Sequence, residues 1–259
     1  MTAVTDRPVP APDVAPSFTT SASGRRRKRT NIVMATLVTL AFLIALVPLV
    51  SLLVEVVIRG GSMLSWQFFT TDMTGVFGDS ADGGVRHAIL GTLQITGLAT
   101  LISAPIGLLA AIYLVEYGHG RLARTLTFFV DVMTGIPSIV AGLFAVALFA
   151  ILIGPAYRSG IMGAVALSVL MIPVVVRSCE EMLKLVPNEL REASYALGVP
   201  KWLTIVKVVL RTSLAGIVTS IVLAIARVIG ETAPLLLTVG IVTSANTSML
   251  DGRVATLPV

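Results

Sequence analysis

Four ionisable side chains lie within or at the edge of strongly apolar stretches of this sequence. Arg227 and Glu231 interrupt one apolar run, and Arg177 and Glu180 lie three residues apart where another run ends. Placing such a group in a membrane span costs at least about 2.5–3.5 kcal/mol, so it usually marks a substrate path or a buried ion pair. The planar guanidinium of arginine can donate two parallel hydrogen bonds to a tetrahedral oxyanion. We therefore predict that these four residues line a substrate pathway.

The sequence leaves a second interpretation of these charges open. Arg227 and Glu231 are four residues apart, so on a continuous helix they project in similar directions and can neutralise each other between packed helices. A carboxylate repels an anionic substrate, so Glu231 would either orient Arg227 or bind the anion while protonated. For Arg177 and Glu180, a position at the inner membrane boundary explains the arginine as well as a transport role does.

The elements that position these residues are predicted to be membrane-spanning helices. The chain has 259 residues, of which 55% are hydrophobic and 13% charged, whereas a soluble domain carries about 25% charged residues. An apolar helix of about 20 residues crosses the roughly 30 Å hydrocarbon layer, and the short alternating segments of a membrane barrel are not apparent. The sequence predicts an all-α polytopic bundle with five transmembrane helices, at residues 31–58, 86–114, 126–153, 159–178 and 206–238.

The distribution of lysine and arginine predicts the orientation of this bundle. Fourteen of the nineteen basic residues precede the first span or fall in the stretches 115–125 and 177–211, and four fall on the alternate side. Because cytoplasmic loops are enriched in Lys and Arg, we predict a bacterial cell-membrane protein with a cytoplasmic N-terminus. The pI of about 9.8 then reflects membrane topology and not nucleic-acid binding.

The same patterns divide the chain into segments. The tail is rich in Pro, Ala, Ser and Thr, which favours disorder, and it ends in a basic topology anchor, Arg25–Arg29. The predicted segments are a disordered cytoplasmic tail with this anchor (1–30), the first transmembrane helix (31–58), an extracytoplasmic loop (59–85), a helical core (86–238) with a cytoplasmic loop (179–205), and an extracytoplasmic C-terminal segment (239–259).

The cytoplasmic loop is polar and helix-forming, although apolar runs lie on both sides of it. Pro187 is suited to begin a helix and Gly198 to end it. At 100° per residue, Leu190, Ala193 and Leu197 share one face of that helix. This pattern predicts a short amphipathic helix that inserts into a groove on a soluble partner, and a solvated connecting helix fits the pattern equally well.

The residues of this loop resemble the cytoplasmic loop of ABC importer permeases. The family pattern is Glu-Ala-Ala, three residues, Gly, nine residues, and Ile-x-Leu-Pro. Here Glu192-Ala193-Ser194 is followed at the same spacings by Gly198 and Val208-Val209-Leu210-Arg211, with departures at Ser194, Val208 and Arg211. The resemblance implies a coupling helix that docks on a cytoplasmic ATPase subunit. The docking residues it implies are Leu190, Glu192, Ala193, Leu197 and Gly198.

A second motif resembles a narrower family. The segment Ala226-Arg227-Val-Ile-Gly230-Glu231-Thr232-Ala233-Pro234 is similar to the Ala-Arg-x-x-Gly-Glu-Thr-Ala-Pro segment of phosphate permeases of the PstA kind. The segments Tyr113–Tyr117 and Pro173–Met182 also resemble that family, and the likeness extends from about Phe42 to Val259. It implies a non-catalytic permease subunit of an ATP-driven phosphate importer, with a fold like that of type I ABC importer permeases.

The resemblance also implies the partners of this chain. The chain lacks the G-x-x-x-x-G-K-[ST] motif that binds ATP phosphates, so we expect a partner to hydrolyse ATP and this chain to bind no cofactor or metal. The expected partners are cytoplasmic ATPase subunits, a sister permease in a heterodimer, an extracytoplasmic phosphate-binding protein and membrane lipid, without nucleic acid. Two alternatives remain: a sulfate or molybdate permease should lack the Gly230–Pro234 motif, and a proton-coupled secondary transporter would use Glu231 as its carrier.

Five spans that start from a cytoplasmic N-terminus place the C-terminus outside the cell. Members of the resembled family continue from this point into a sixth span with a basic tail. The residues after Gly240 are too few to form both an external loop and another apolar helix of about 20 residues. The sequence therefore predicts that the sixth span is missing and that a tag after Val259 is accessible from outside.

Overall fold

The computed structural model describes residues 22–61, 64–76, 83–246 and 248–259. Residues 1–21 of the predicted tail and residues 62–63 and 77–82 of the predicted loop lie outside that part of the chain. Within it, every regular element is a helix, which confirms the all-α class. The chain forms two compact units, Met1–Leu64 and Ser65–Val259.

The first unit contains one helix, α1, which spans Ala22–Gly60. It begins within the segment 1–30 that the sequence analysis assigned to a disordered tail, so residues 22–30 differ from that prediction. The reason is that arginine and lysine have high helix propensity, and the basic residues Arg25–Arg29 extend the apolar helix towards the N-terminus without an intervening proline.

The second unit holds the other helices of the described residues. Two of them continue into a π-helical turn, in which the backbone hydrogen bonds join residues five apart. The elements are α2 (Trp66–Thr70), α3 (Arg86–Ile112) with a π-helical turn (Tyr113–Tyr117), α4 (Gly120–Thr134), α5 (Ser138–Leu152), α6 (Gly160–Lys184), α7 (Asn188–Ala196), α8 (Lys201–Thr204) with a π-helical turn (Ile205–Val209), α9 (Leu210–Val228) and α10 (Ala233–Thr238).

Helices α3 and α6 pack side by side and run in the same direction. Near the start of both helices Ile95 contacts Gly163, and further along the Oγ of Ser168 lies 3.4 Å from the carbonyl oxygen of Ala99. Towards their ends a Cβ on Gly107 would lie 2.6 Å from a methyl group of Val175, so only glycine allows this approach. The contacts therefore advance along both helices together.

Because α3 and α6 are parallel, the chain must return across the membrane between them. Within the described residues four helices are long and apolar enough to span it, and α4 and α5, bent by 107° at a short break, can together form a fifth span. Helix α5 alone is about 22 Å long, which is less than the roughly 30 Å hydrocarbon layer. The count of five spans agrees with the prediction, but the third span is broken and is not a continuous helix over 126–153.

Helix α9 returns antiparallel to α6 and ends halfway along it. Gly216, near the start of α9, packs against Met182 near the end of α6. From Gly216 to Val228 the helix rises about 18 Å, which brings its end level with about Met171, near the middle of α6. The predicted span 206–238 is therefore interrupted: α9 ends at Val228 and the chain resumes as α10. Proline has no N–H for the hydrogen-bond ladder and is tolerated in the first turn of a helix, and Pro234 lies in the first turn of α10.

The C-terminal segment packs on the starting ends of α3 and α6. The N–H of Ile161 donates to the carbonyl oxygen of Met249 at 2.9 Å, and the N–H of Leu257 donates to Oγ1 of Thr92 at 2.9 Å. Val254 is buried between these helices. The opposite end of the second unit carries α7 and α8, which we call the hairpin.

Candidate functional site

The break between α9 and α10 lies at the middle of the bundle and carries the first predicted pair of charges. Arg227 occupies the last turn of α9 with an exposed side chain, and Glu231 follows the end of the helix and is half-buried. Irregular backbone at this depth is tolerated where it is buried in protein or lines a polar cavity. Discontinuous spans of this kind form the midplane binding sites of many transporters.

The structure separates Arg227 from Glu231. Within the described residues, neither side chain forms an ion pair or a hydrogen bond to the other. The prediction that the two residues project together from a continuous helix is wrong because the helix ends at Val228. In the part of the chain that the structure describes, the guanidinium of Arg227 is therefore without a side-chain acceptor.

A second broken span lies against this one. A Cβ on Gly142 of α5 would lie 2.8 Å from the Cα of Pro234 in α10, so the two short helices are in close contact. Helix α5 begins just after the Gly135–Pro137 break and packs on α6 through the cluster that contains Phe149 and Met162. Two interrupted helices thus meet beside the continuous helix α6.

Arg177 and Glu180, the second predicted pair, belong to a network of four charges on α4 and α6. The Nη1 of Arg177 lies 2.9 Å from a carboxylate oxygen of Glu180, and its Nη2 pairs with the carboxylate of Asp131 on α4. The other oxygen of Glu180 lies 2.7 Å from Nζ of Lys184. The two cations and two carboxylates compensate each other.

Asp131 and Lys184, the other two members of this network, are not among the predicted site residues. The spacing of Lys184 four residues after Glu180 was a usable signal for an ion pair on one helix. The contact of Asp131 with Arg177 crosses between helices and depends on the bend after α4.

The two arginines therefore differ in what they can bind. Arg177 already donates hydrogen bonds to the carboxylates of Asp131 and Glu180. Glu180 is only 8% exposed. Arg227, in contrast, is exposed and makes no side-chain contact of this kind in the described part of the chain. Of the four predicted pathway residues, Arg227 keeps its donors unoccupied within the described part of the chain, whereas Arg177 links α4 to α6.

The hairpin presents all five predicted docking residues on its exposed surface. Gly198 ends α7 with φ of +75°, a conformation that favours glycine, and its N–H donates to the carbonyl oxygen of Tyr195 at 2.9 Å. Leu197 is 84% exposed, although an apolar side chain of this size gains stability from burial. The exposed docking residues are Leu190, Glu192, Ala193, Leu197 and Gly198.

The hairpin also makes inward contacts that the sequence analysis did not predict. The guanidinium of Arg191 lies 2.9 Å from the buried carboxylate of Glu116. Ser194, one of the departures from the family pattern, is buried and its hydroxyl lies 2.8 Å from that of Thr204. This hydroxyl contact explains how a serine fits at a position where the pattern has alanine.

Comparison with known proteins identifies the family. Residues 103–254 match the family described as the inner membrane component of binding-protein-dependent transport systems. The chain belongs to this family. The matched region contains the hairpin, both breaks and all the predicted site residues, so the resemblance drawn from the loop motif is confirmed.

Curated relatives within this permease family are phosphate transport proteins. The chain is 50% identical over 234 residues to phosphate transport system permease protein PstA 1 of Mycobacterium tuberculosis H37Rv, covering 90% of this chain and 76% of that protein. It is 47% identical over 254 residues to PstA of Mycobacterium leprae, covering 98% of this chain and 81% of that protein. PstA of Yersinia pestis is 42% identical over 215 residues, covering 83% and 71% of the two chains.

A solved structure with a similar backbone is the MetNI methionine ABC transporter in an inward-facing conformation. The similarity has a TM-score of 0.48 with 24% sequence identity, and it covers 58% of this chain and 70% of that chain.

Proposed function

We propose that this chain is a membrane permease subunit of an ATP-driven phosphate importer. The observation that carries the proposal is its 50% identity with a PstA protein over 90% of the chain. In this proposal the chain catalyses no reaction and binds no cofactor. Its ATPase partners hydrolyse ATP, and the permease supplies the path.

Phosphate passes the α9–α10 break in this proposal, with Arg227 as its ligand. Arginine can bind two oxygens of a phosphate through parallel hydrogen bonds, and the Arg227 side chain is exposed at the middle depth of the bundle. Because it faces outward from this chain, a sister permease would complete the path from the other side. Glu231 stands beside the path, and the network of Arg177, Glu180 and Asp131 controls the spacing of α4 and α6.

The hairpin docks on an ATPase subunit in the cytoplasm. The exposed surface of α7 offers apolar and acidic contacts, and the excess of Lys and Arg around the hairpin supports a cytoplasmic position for it. The same rule supports a cytoplasmic N-terminus. The opposite end of the second unit, with the C-terminal segment, then faces the extracytoplasmic phosphate-binding protein.

Complementation tests this proposal directly. The gene is expressed in a bacterial strain that lacks its own PstA protein but retains the other components, and initial uptake of radiolabelled phosphate is measured. We expect restored uptake that unlabelled phosphate suppresses and that sulfate and molybdate, at equal concentration, leave unchanged. A strain carrying the empty vector is the control.

Three results would contradict the proposal. The first is that sulfate or molybdate competes with phosphate uptake as strongly as unlabelled phosphate does. The second is that phosphate uptake persists after ATP depletion. The third is that phosphate uptake collapses with a protonophore while ATP is held constant. The first result would indicate a permease for another oxyanion. The other two would indicate a proton-coupled transporter, in which Glu231 would carry the proton.

A further inference from the structure

The carboxylate of Glu116 is buried where α3 ends in its π-helical turn. The residue retains 7% of its exposure, and it lies beside the hairpin. A buried carboxylate is unfavourable unless cations and hydrogen-bond donors replace its lost hydration. The cation that pairs with this carboxylate, Arg191, comes from the hairpin.

Arg191 of α7 connects three helices through one guanidinium group. Its Nε and Nη2 lie 3.0 and 2.9 Å from the same carboxylate oxygen of Glu116. Its Nη1 and Nη2 also donate to the carbonyl oxygens of Val186 and Leu183, at 2.6 and 3.1 Å. Since carbonyls at a helix end lack helical partners, Arg191 satisfies the end of α6 while it holds the end of α3.

Lys201, the first residue of α8, forms a second connection to the same turn. Its Nζ donates to the carbonyl oxygen of Glu116 and lies 4.5 Å from the centroid of the Tyr117 ring, within the range of a cation–π contact. The hydroxyls of Ser194 and Thr204 join α7 to α8. The hairpin is therefore fastened to the end of α3 at two points and is also closed on itself.

Two of the spans that meet the hairpin, α3 and α9, carry a π-helical turn beside it. One turn, Tyr113–Tyr117, follows α3, and the other, Ile205–Val209, precedes α9. Such turns are rare in helices and occur frequently at functional sites. They are the places where these spans can change register while the rest of each helix stays intact.

We propose that Glu116 and Arg191 are positioning residues that transmit movement of the coupling helix to α3. This inference rests on the proposed function. When the ATPase subunits close and displace the hairpin, the buried ion pair moves α3 with it, and the π-helical turn Ile205–Val209 lets the hairpin move relative to α9. The ion pair thus links ATP hydrolysis to the opening of the path.

The test uses the complete transporter reconstituted in liposomes, with phosphate uptake and ATP hydrolysis measured together. Arg191→Gln is expected to retain the ATPase subunits and hydrolysis, while the phosphate transported per ATP falls by about 3- to 30-fold, the range that loss of such a link produces. Arg124→Gln removes the same charge from an exposed position on α4 and should leave the ratio unchanged. An unchanged ratio in Arg191→Gln would overturn the proposal.

A double variant controls for misfolding. Arg191→Gln alone leaves the Glu116 carboxylate buried without its cation, whereas Glu116→Gln combined with Arg191→Gln removes both charges and should assemble normally. The double variant is still expected to transport less phosphate per ATP. Normal coupling in the double variant would overturn the proposal, and so would its failure to assemble, because the pair would then be a folding element only.

A distance measurement separates this inference from the proposed function, because it needs no transported substrate. Spin labels are attached to Glu189→Cys on α7 and Leu109→Cys on α3, both exposed positions, after Cys179→Ser removes the native thiol. In the otherwise unchanged protein, trapping the ATPase subunits with ATP and vanadate should leave the label distance narrow and constant, because α3 follows the hairpin. In Arg191→Gln the distance should shift or broaden, and identical behaviour of the two proteins would refute the link.

Discussion

At the scale of single residues, the main distinction is between an arginine with free donors and one whose donors are occupied. Both Arg227 and Arg177 could be selected as candidate site residues from the sequence alone, because a charged residue in an apolar run is easily recognised. The side chains that each arginine contacts could not be predicted. The contact of Arg177 with Asp131 joins residues on different helices, and the separation of Arg227 from Glu231 depends on where α9 ends.

Substitutions of Arg227 and Glu231 distinguish a substrate ligand from an ion pair. Arg227→Gln should lower phosphate uptake by about 10- to 100-fold, the effect of losing one charge-assisted hydrogen bond of about 1.5–3 kcal/mol. Because the structure shows no ion pair between the two residues, adding Glu231→Gln should not restore uptake. Uptake is measured at equal amounts of assembled transporter, and recovery in the double variant would show that the two charges only neutralise each other.

Gly198 allows backbone strain to be separated from obstruction of the docking surface. Its φ of +75° disfavours other residues, but no atom lies within 4 Å of the place where a Cβ would be added, so the position is open. Gly198→Ala should therefore cost only about 1–2 kcal/mol of stability, and Gly198→Asn less, because asparagine tolerates this conformation. Gly198→Arg should abolish co-purification of the ATPase subunits, and equal retention in Gly198→Arg and Gly198→Ala would contradict the docking assignment.

At the scale of elements, the sequence indicated where helices exist but not where they bend. The apolar runs located the spans because the thickness of a membrane sets their length. Glycine and proline occur together in residues 135–137 and 230–234, yet prolines are tolerated in membrane helices, so their presence alone does not predict a break. Whether such a point becomes a break depends on the neighbouring helix, here the contact between α5 and α10.

Two glycines test that contact against a matched control. Gly142→Val places a side chain where Pro234 lies, and overpacking of this kind typically costs about 1–3 kcal/mol, so we expect a lower melting temperature in detergent and lower phosphate uptake. Gly97 in α3 has no neighbouring atom within 4 Å of an added Cβ. Gly97→Ala should leave the melting temperature equal or raise it, because alanine favours a helix by about 1 kcal/mol over glycine. Equal effects of both changes would contradict the close packing of α5 on α10.

At the scale of the whole molecule, the parallel packing of α3 and α6 fixes the topology of the second unit. It places the hairpin at one end of that unit and the C-terminal segment at the other. The five-span count followed from hydropathy, and the orientation from the distribution of basic residues. The parallel packing of α3 and α6 could not be predicted from the sequence. It depends on contacts of small residues with another helix, such as that of Gly107 with Val175, and the sequence does not show which helices are neighbours.

Cysteine labelling in intact cells tests this arrangement. In a Cys179→Ser background, a membrane-impermeant thiol reagent should label Asp251→Cys, which is exposed in the C-terminal segment, and should not label Glu189→Cys on the hairpin until the membrane is permeabilised. Labelling of both positions from the same side would contradict the placement of the hairpin and the C-terminal segment at opposite ends of the second unit.

The central claim is that this chain carries phosphate across a membrane at the expense of ATP hydrolysed by its partners. The most direct measurement is the concentration of radiolabelled phosphate on the two sides of liposomes that contain the purified complex and the phosphate-binding protein. We predict that phosphate accumulates above its equilibrium level on the side of the ATPase subunits, only while ATP is hydrolysed, and far more slowly in Arg227→Gln. Accumulation without ATP, or equal phosphate on both sides during steady ATP hydrolysis by the correctly assembled complex, would contradict the claim.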